Sequence, residues 1–519
     1  MDSDLNSLEF GGICRLLERL SFSPYGADAA RSLEPAPSIG VAREMQSAVT
    51  AARGAIDAYA VPKLAALPDV RAALRQAEQQ GAALSPNALA NLRQVMQTGL
   101  VLREFVALYP ALYRNISALK APVALWEALD ATISSAGRLR EDATPDLRAL
   151  HQQYHAAQQQ VEAQVKARMH SPDVAGVFEE NSRVHWHGTR GVLAVRSNFA
   201  DRIKGVRRGT VGGGRDVLIE PMEAVGLNNR LEALGGQIEA QNQVVLRAVT
   251  DTVRSCGDDL AKLLDAITWI DLALAAGQMS AAMNAAPPEL VDKPMVELKQ
   301  AYHPQLLLQF MEKNIQRIRA LDILLDENQP MLVITGPNTG GKTVVLKTVG
   351  LLVTMAYCGL HIPSEGKCII GDFNRIIVDV GDKQSLYHHL STFAGHVEVL
   401  KRLLAEADDK TLVLMDELGT GTDPEEGAAL AMAVLDELAM RKVHGIVTTH
   451  LSPLKRFASQ HAYLCNASMR FDYDSLSPTY ELEVGVAGQS LGLVIAEKKG
   501  LPSDLVAKAR GYLKHTGGE

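Results

Sequence analysis

The sequence predicts a multidomain chain: an all-α core, long coiled-coil arms that carry a small β tip, and then an α/β domain. Three observations predict it. Aromatic residues make up only 5% of the chain while Ala, Leu, Val and Gln abound, which favours helix over a β-sandwich. Two short heptad stripes, starting at Leu147 and Leu227, bracket a Gly-rich stretch of β-branched and aromatic residues. After Tyr302–His303–Pro304, short apolar runs alternate with Gly-rich turns and helical stretches, the pattern of an α/β sheet.

With 519 residues, the chain has room for about three or four domains, each able to bury a core. Hydrophobic residues at 47% and charged residues at 22% exclude a largely disordered chain. Lys and Arg number 52 against 60 Asp and Glu, a net charge of −8, so any nucleic-acid contact must come from a local basic patch. The five cysteines (Cys14, Cys256, Cys358, Cys368, Cys465) form no C-x-x-C pair, which fits reduced thiols better than disulfides or a metal site. The N-terminal MDSDLNSLEF has no basic n-region and no apolar h-region. The longest apolar stretch, Val344 to Ile362, is broken by Lys347, Gly350 and Gly359 and reads as a buried helix rather than a membrane span. A cytoplasmic protein with no membrane partner is expected.

Residues 1–146 read as a helical core, because Leu16, Leu17 and Leu20, then Val70 and Leu74, then Leu89 and Leu92 recur at helical spacing between prolines. In residues 147–250, Leu147, Leu150, Tyr154, Ala157, Val161 and Gln164 form the outgoing stripe; Leu227, Leu231, Leu234, Ile238, Gln241, Val245 and Ala248 form the returning one. Either stripe alone would also describe an ordinary bundle helix. Between them, at about 180–222, VHWHGTRGVLAV, then Gly205–Thr210, GGG at Gly212–Gly214 and VLIEP read as small strands. That tip is a charge anomaly. Residues 181–215 hold Arg183, Arg190, Arg196, Arg202, Lys204, Arg207, Arg208 and Arg215 against Asp201 alone, 8 − 1 = +7. The preference for Arg suits phosphate, which its planar fork grips in bidentate fashion. A solvated β face would look similar, but a position at the end of a long arm favours nucleic-acid contact. Residues 251–298 return to the helical core, and 299–519 form the α/β domain.

The chemistry is concentrated there. Met331–Thr335 reads as a buried strand and runs into GPNTGGKT: Gly336, Pro337, Asn338, Thr339, Gly340, Gly341, Lys342, Thr343. This is G-x-x-x-x-G-K-[ST]. Its glycines let backbone N–H groups face phosphate oxygens, Lys342 reaches the β- and γ-phosphates, and the Thr343 hydroxyl ligates Mg²⁺. A second buried strand, Thr411–Met415, ends in Asp416–Glu417; the first carboxylate suits the Mg²⁺ shell and the second can polarise a water against the γ-phosphate. A third strand, Ile446–Thr449, ends at His450. A lone His is usually a satisfied surface or core residue, but a strand end in the same sheet favours a γ-phosphate sensor. ATP with Mg²⁺ is therefore the expected ligand. The sheet order implied is that of an ABC-type P-loop ATPase; N-K-x-D and LSGGQ are absent, and GDKQSLYHHLSTFAGHVEVL stands at Gly381–Leu400.

GPNTGGKT, DELGTGTDPEEGAALA, TTH, LSTF and the closing GQSLGLVIAEKKGLP together resemble the ATPase of the MutS family, in wording closest to its second bacterial branch, MutS-two. The resemblance covers nearly the whole chain and implies a lever-like helical core, arms with a clamp tip, and no mismatch-recognition or connector domain. It further implies a homodimer in which Ser391 and Thr392 of LSTF approach the partner's γ-phosphate, while Lys342, Thr343, Asp416, Glu417 and His450 act in cis; the closing helical segment, Ala487 to Ala496 and beyond, would help join the subunits. The family's role points to branched or duplex DNA and suppression of homologous recombination. Ribosome binding through rRNA, splitting stalled or collided ribosomes, is the alternative in the same branch. A transporter ATPase subunit fits less well without LSGGQ. Two departures stand out. The tip reads GGGRDVLIEP where relatives carry a Ser-rich turn, and no LDLRG or HGxG element of the branch's Smr nuclease domain occurs before Glu519, so endonuclease chemistry is not expected from these residues.

Overall fold

The computed structural model describes residues 2–178, 182–315, 317–336, 340–380, 391–472, 477–488 and 492–516. Helices α1 (Asp2–Ser7), α2 (Gly11–Leu20), α3 (Pro24–Arg31) and α4 (Ile39–Asp57) open the chain. The Ser23 and Ser38 hydroxyls cap α3 and α4 by accepting from the amides of Gly26 and Val41. Next come α5 (Arg71–Glu78), α6 (Pro86–Leu108) and α7 (Val123–Thr132), then the 25-residue α8 (Pro145–Met169). Strands β1 (His185–His187), β2 (Arg190–Arg196), β3 (Gly205–Val211) and β4 (Asp216–Pro221) lead into the 34-residue α9 (Met222–Ser255) and into α10 (Gly257–Ala282).

The α/β part runs β5 (Glu289–Leu290), β6 (Val296–Ala301), α11 (Pro304–Met311), β7 (Leu321–Leu325), β8 (Met331–Thr335), α12 (Lys342–Tyr357), β9 (Ile369–Ile370), β10 (Arg375–Asp379), α13 (Ser391–Glu406) and β11 (Thr411–Met415). It closes with α14 (Pro424–Met440), β12 (His444–Thr449), α15 (Ser452–Gln460), β13 (Leu464–Asp472), β14 (Ser477–Val484), α16 (Gly492–Lys498) and α17 (Ser503–Thr516). Among the described residues, no helix is long and apolar enough to cross a membrane.

The chain divides into two compact units. One comprises residues 67–103 and 117–265. In it α8 packs along α9, and both flank an antiparallel sheet ordered β1-β2-β4-β3. Ala157, Val161 and Val165 recur every four residues on α8 and meet Leu231 and Leu234 of α9 together with Leu193, Val195 and Ile219 of the sheet. Gly191 shows how close the strand lies to the helix: a Cβ there would stand 2.5 Å from Val161 Cγ1, so any larger residue would lift β2 off α8.

The other unit comprises residues 1–66, 104–116 and 266–519. Its main sheet is ordered β10-β11-β12-β8-β13-β14, parallel except for β14. Alternate residues of each strand serve opposite faces. Leu332, Ile334, Leu412, Leu414 and Ile446 face one core, with Val345, Leu346, Val349 and Val353 of α12 and Leu8, Ile13 and Leu17 of the N-terminal helices. Met331, Val333, Val413, Met415 and Val447 face the other, with Leu400 and Leu403 of α13, Leu435 and Leu438 of α14 and Leu454 of α15. Helices thus cover both faces, and the strands between them are buried throughout. A second sheet, β5-β9-β6-β7, shares the first core through Val296, Leu298, Ile323 and Ile370.

Candidate functional site

The sheet order brings three strand ends together. β12 lies between β11 and β8, pairing Met415 with Val447 and Thr449 with Thr335. The residues just past these strands, Asp416, His450 and Gly336, therefore share one carboxyl edge, where open α/β sheets bind ligands.

At the first end the backbone turns through Gly336 (φ 137°) and Gly341 (φ 93°), left-handed conformations that favour glycine, and α12 begins at Lys342. Gly340 is buried beside them. The Lys342 side chain is buried, and its Nζ donates to the Gly336 carbonyl at 2.7 Å, folding the ammonium back over the loop. Burial pushes its pKa below the ordinary lysine value; the charges of Asp416 and Glu417 pull it up, and Lys455 adds to the depression. Thr343 Oγ1 donates to Asp416 Oδ2 at 2.6 Å, joining segments 73 residues apart in sequence.

At the second end, Asp416 also accepts from Thr448 Oγ1, so its two oxygens each hold a hydroxyl. Glu417 has φ 53°, unusual for a residue with a Cβ, and its N–H donates to the same Thr448 Oγ1 at 2.9 Å. The Leu418 N–H donates to the Thr448 carbonyl at 3.0 Å. Thr448 thus fixes the turn that carries both carboxylates. Behind it, the Asp416 N–H donates to the Asp379 carbonyl at 2.8 Å, and His396 Nδ1 lies 2.7 Å from the buried Asp379 carboxylate. His450 follows β12 and is exposed.

Of the residues predicted from sequence, the structure brings Gly336, Gly340, Gly341, Lys342, Thr343, Asp416, Glu417 and His450 to this edge. Pro337, Asn338 and Thr339 lie outside the described residues, as does segment 381–390; Ser391 and Thr392 open α13, with side chains that also lie outside them. Four further residues contribute, none of which had been given a role at this edge. Thr448 stood within a quoted TTH, but only its contact with Asp416 gives it a role. Lys455, its ammonium donating to the Gly488 carbonyl at 2.8 Å and its pKa lowered by burial, places a second cation near Lys342. The Gly488 N–H in turn donates to Thr335 Oγ1 at 2.8 Å, tying the chain after β14 to the end of β8. Tyr480, φ 61° and 54% exposed, sets its ring against the loop: a Cβ on Gly341 would lie 3.0 Å from Tyr480 Cδ1. Nothing in the local sequence marks Lys455 or Tyr480, whereas Gly488 opens the GQSLGLVIAEKKGLP segment noted above.

The basic tip divides in two. Glu220 on β4 is fully buried and accepts from Arg190 Nη1 at 2.8 Å, Arg208 Nε at 2.6 Å and Asn228 Nδ2 at 2.9 Å. Burial pushes its carboxyl pKa up, but the hydrogen bonds from Asn228, Arg208 and Arg190 outweigh it and hold the pKa below the usual range. The β3–β4 register slips between Arg207 and Gly209, and that bulge leaves Arg208 free of the ladder and bonded to Glu220. Arg190 also pairs with Glu232 of α9. Arg190 and Arg208 therefore hold the sheet to α9. Arg183, Arg196, Arg202, Lys204, Arg207 and Arg215 are exposed; Arg202 lies over the Phe199 ring at 5.2 Å, and Arg207 pairs with Asp201.

Residues 332–516 match the family profile MutS domain V. Over nearly its full length the chain is similar to proteins named Endonuclease MutS2: 33% identical over 514 residues to that of Symbiobacterium thermophilum (98% of this chain, 63% of the relative) and 35% identical over 517 residues to that of Thermus thermophilus (99% and 66%). That of Halothermothrix orenii is 30% identical over 517 residues (97% and 64%). The chain spans less than two thirds of the length of these relatives.

Proposed function

The chain belongs to the MutS family, in its MutS2 branch, and from that premise we propose that it is an ATPase that binds DNA without reading base sequence. The observation that carries the reading is the 2.6 Å contact of Thr343 with Asp416 beside the buried Lys342, in a domain whose sequence matches MutS domain V. The donors suit the ligands. Magnesium takes hard oxygens, and the Thr343 hydroxyl and the Asp416 carboxylate are such a pair, already in contact. A buried ammonium beside glycines at positive φ suits a polyphosphate better than any neutral ligand. When bound, Mg²⁺ would neutralise charge on the phosphates.

Each side chain then has a distinct task. Lys342 would leave the Gly336 carbonyl for phosphate oxygens, and Thr343 and Asp416 would hold the metal. Glu417, held in its strained turn by Thr448, orients and polarises the attacking water; His450 faces the terminal phosphate from the neighbouring strand end. Tyr480 offers a ring face beside the loop for the base. Ser391 and Thr392 at the start of α13 would complete the site of a partner copy in a homodimer.

In the same reading, residues 1–146 and 251–298 form the helical core, α8 and α9 are the arms, and the tip they carry is the clamp that grips DNA through phosphates. Its exposed cations are Arg183, Arg196, Arg202, Lys204, Arg207 and Arg215; Arg190 and Arg208 act behind them by holding Glu220. A clamp of this kind, closing on branched or duplex DNA, would serve to suppress homologous recombination. The word endonuclease belongs to the relatives' names, and the proposal for this chain is limited to nucleotide hydrolysis and DNA binding. The test is binding of a four-way junction, a plain duplex and purified ribosomes, each with and without a non-hydrolysable ATP analogue. Salt-dependent DNA binding that responds to nucleotide is expected. Binding to ribosomes alone would overturn the DNA assignment.

A further inference from the structure

The β tip and the nucleotide edge do not use the histidines at the start of α8. His151 and His155 stand four residues apart, on one face of the helix. The neighbouring face, with Leu150 and Tyr154, packs into the core between α8 and α9, so the helix cannot roll to hide the imidazoles. Glu141 approaches them from the loop that precedes the helix. Its Oε1 lies 3.9 Å from His151 Nδ1 and its Oε2 lies 3.4 Å from His155 Nε2. One ligand atom from each of the three side chains falls within 4.8 Å of the other two.

That loop is ordered by its own bonds. Ile133 and Leu139 form a β-bridge, the Arg140 N–H donates to the Thr132 carbonyl at 2.8 Å, and Arg93 donates to the Ile133 and Ser134 carbonyls. On the helix side, Thr144 caps α8 by accepting from the Leu147 amide. The Tyr154 ring meets the His155 ring edge to face at 6.1 Å and limits its rotation. Arg140 and Arg148, which flank the loop in sequence, are both turned to Asp142, which lowers the positive potential a bound ion would meet.

An exposed His–carboxylate contact contributes little to stability by itself. Two imidazoles at i and i+4 plus one carboxylate are a donor set for a borderline divalent ion, with bonds of about 2.0–2.2 Å. Around such an ion, tetrahedral ligand atoms stand about 3.3 Å apart, so the three groups need move only on the order of an ångström to close. The two nitrogen donors disfavour magnesium and calcium, which prefer oxygen shells.

We propose that Glu141, His151 and His155 form a site for a zinc-class divalent ion, which staples the loop before α8 to the second and third turns of that helix and leaves the fourth coordination position to water. The site shares no residue with the nucleotide edge or the basic tip, and does not depend on either assignment.

The test uses the full chain without a polyhistidine tag, with Mg²⁺ present to occupy hard-oxygen sites. Zn²⁺ is titrated against a chromophoric chelator, and Co²⁺ uptake is followed by its visible absorption. The expected result is one more equivalent of Zn²⁺ bound by the natural chain than by the double variant His151→Ala/His155→Ala. Glu141→Gln should raise the Zn²⁺ Kd by about tenfold or more, since a first ligand is worth at least what an outer-shell partner is. Zn²⁺ should also raise the melting temperature of the natural chain and not that of the double variant. Equal uptake by the natural chain and the double variant, or no saturable uptake by the natural chain, overturns the proposal. Should the double variant fail to fold by circular dichroism, Glu141→Gln decides: an unchanged Kd overturns the proposal too.

Discussion

Thr448→Val isolates the contact on which the acidic turn depends. The substitution keeps the volume of a fully buried side chain and removes only its hydroxyl, so no cavity contributes. Two hydrogen bonds go with it. Asp416 loses one of the hydroxyls held on its oxygens, a bond to a charged group worth about 1.5–3 kcal/mol. The Glu417 N–H loses its acceptor, which costs about 1–3 kcal/mol where water does not reach it. The methyl gained in burial offsets part of this, leaving a stability loss of about 2–4 kcal/mol. Hydrolysis is hit for a second reason. Glu417 sits at φ 53°, and the anchor that opposes relaxation of that strain is gone. A displacement of about 1 Å in a water-orienting group costs up to about a hundredfold in rate. Steady-state ATP turnover and thermal unfolding of Thr448→Val, with Thr448→Ser as the variant that keeps the hydroxyl, form the assay. Turnover should fall about ten- to a hundredfold in Thr448→Val and largely recover in Thr448→Ser. Wild-type turnover together with a wild-type melting temperature in Thr448→Val would refute the reasoning.

Lys342→Ala should abolish ATP hydrolysis with the circular dichroism spectrum intact; unchanged turnover would remove the phosphate-loop assignment. Arg208→Ala should lower stability by about 1–3 kcal/mol, less than for a fully buried ion pair because the guanidinium is partly exposed and Arg190 and Asn228 still hold Glu220. Arg183→Ala and Arg215→Ala should instead leave the melting temperature in place, weaken DNA binding, and each reduce the slope of log K against log salt by about one; the opposite pattern would reverse the division of the tip. Acid stability should depend on His361, whose ring nitrogens lie 2.8 Å and 2.9 Å from the Ser280 and Thr50 hydroxyls and whose pKa burial lowers to about 4. A histidine whose folded pKa is depressed contributes stability that is full above the unfolded value of about 6.5 and lost as pH falls toward about 4, so about 3 kcal/mol should disappear across that window; His361→Gln should flatten the loss, as read by urea midpoints at successive pH values.

How much of this was legible in the sequence follows from the range of each interaction. The strands ending at Thr335, Met415 and Thr449 announce themselves, because a strand buried on both faces must be apolar throughout, and the Gly-rich turn after the first is constrained by backbone geometry alone. Thr343 and Asp416 could be paired in advance because each carries its own local signature. Thr448 could not, since its role lies in which strand stands beside β11, and strand order is not written in either strand. Tyr480 is likewise delivered by the β13–β14 hairpin and Lys455 by α15, both far along the chain from the loop they face. The tip shows the opposite fault. Counting charge over residues 181–215 stops short of Glu220, and that one buried carboxylate turns two of the eight cations from surface groups into struts. The bulge that re-aims Arg208 depends on β3–β4 pairing, which a count along the sequence cannot register.

The helix behind the phosphate loop has nowhere to move alone. From Thr348 to Tyr357 every residue of α12 is buried, although only its first turn belongs to the site. Gly350 is the contact point: a Cβ there would stand 2.4 Å from Leu8 Cδ2 and 2.7 Å from Leu414 Cδ1, so the helix is held directly between the N-terminal segment and β11, the strand that ends at Asp416. One turn after Lys342, Lys347 Nζ reaches Glu9 at 2.5 Å, and α1 in turn grips the sheet edge, the Val378 N–H donating to Asp4 Oδ1 at 3.2 Å. Close-packed interiors transmit displacement rather than absorb it. A shift of the Lys342–Thr343 turn must therefore be shared by α1 and α2 on one side and by the strand bearing the acidic pair on the other. The helices at the start of the chain thus form part of the mechanical body of the proposed nucleotide site, although the sequence places them more than three hundred residues away from it.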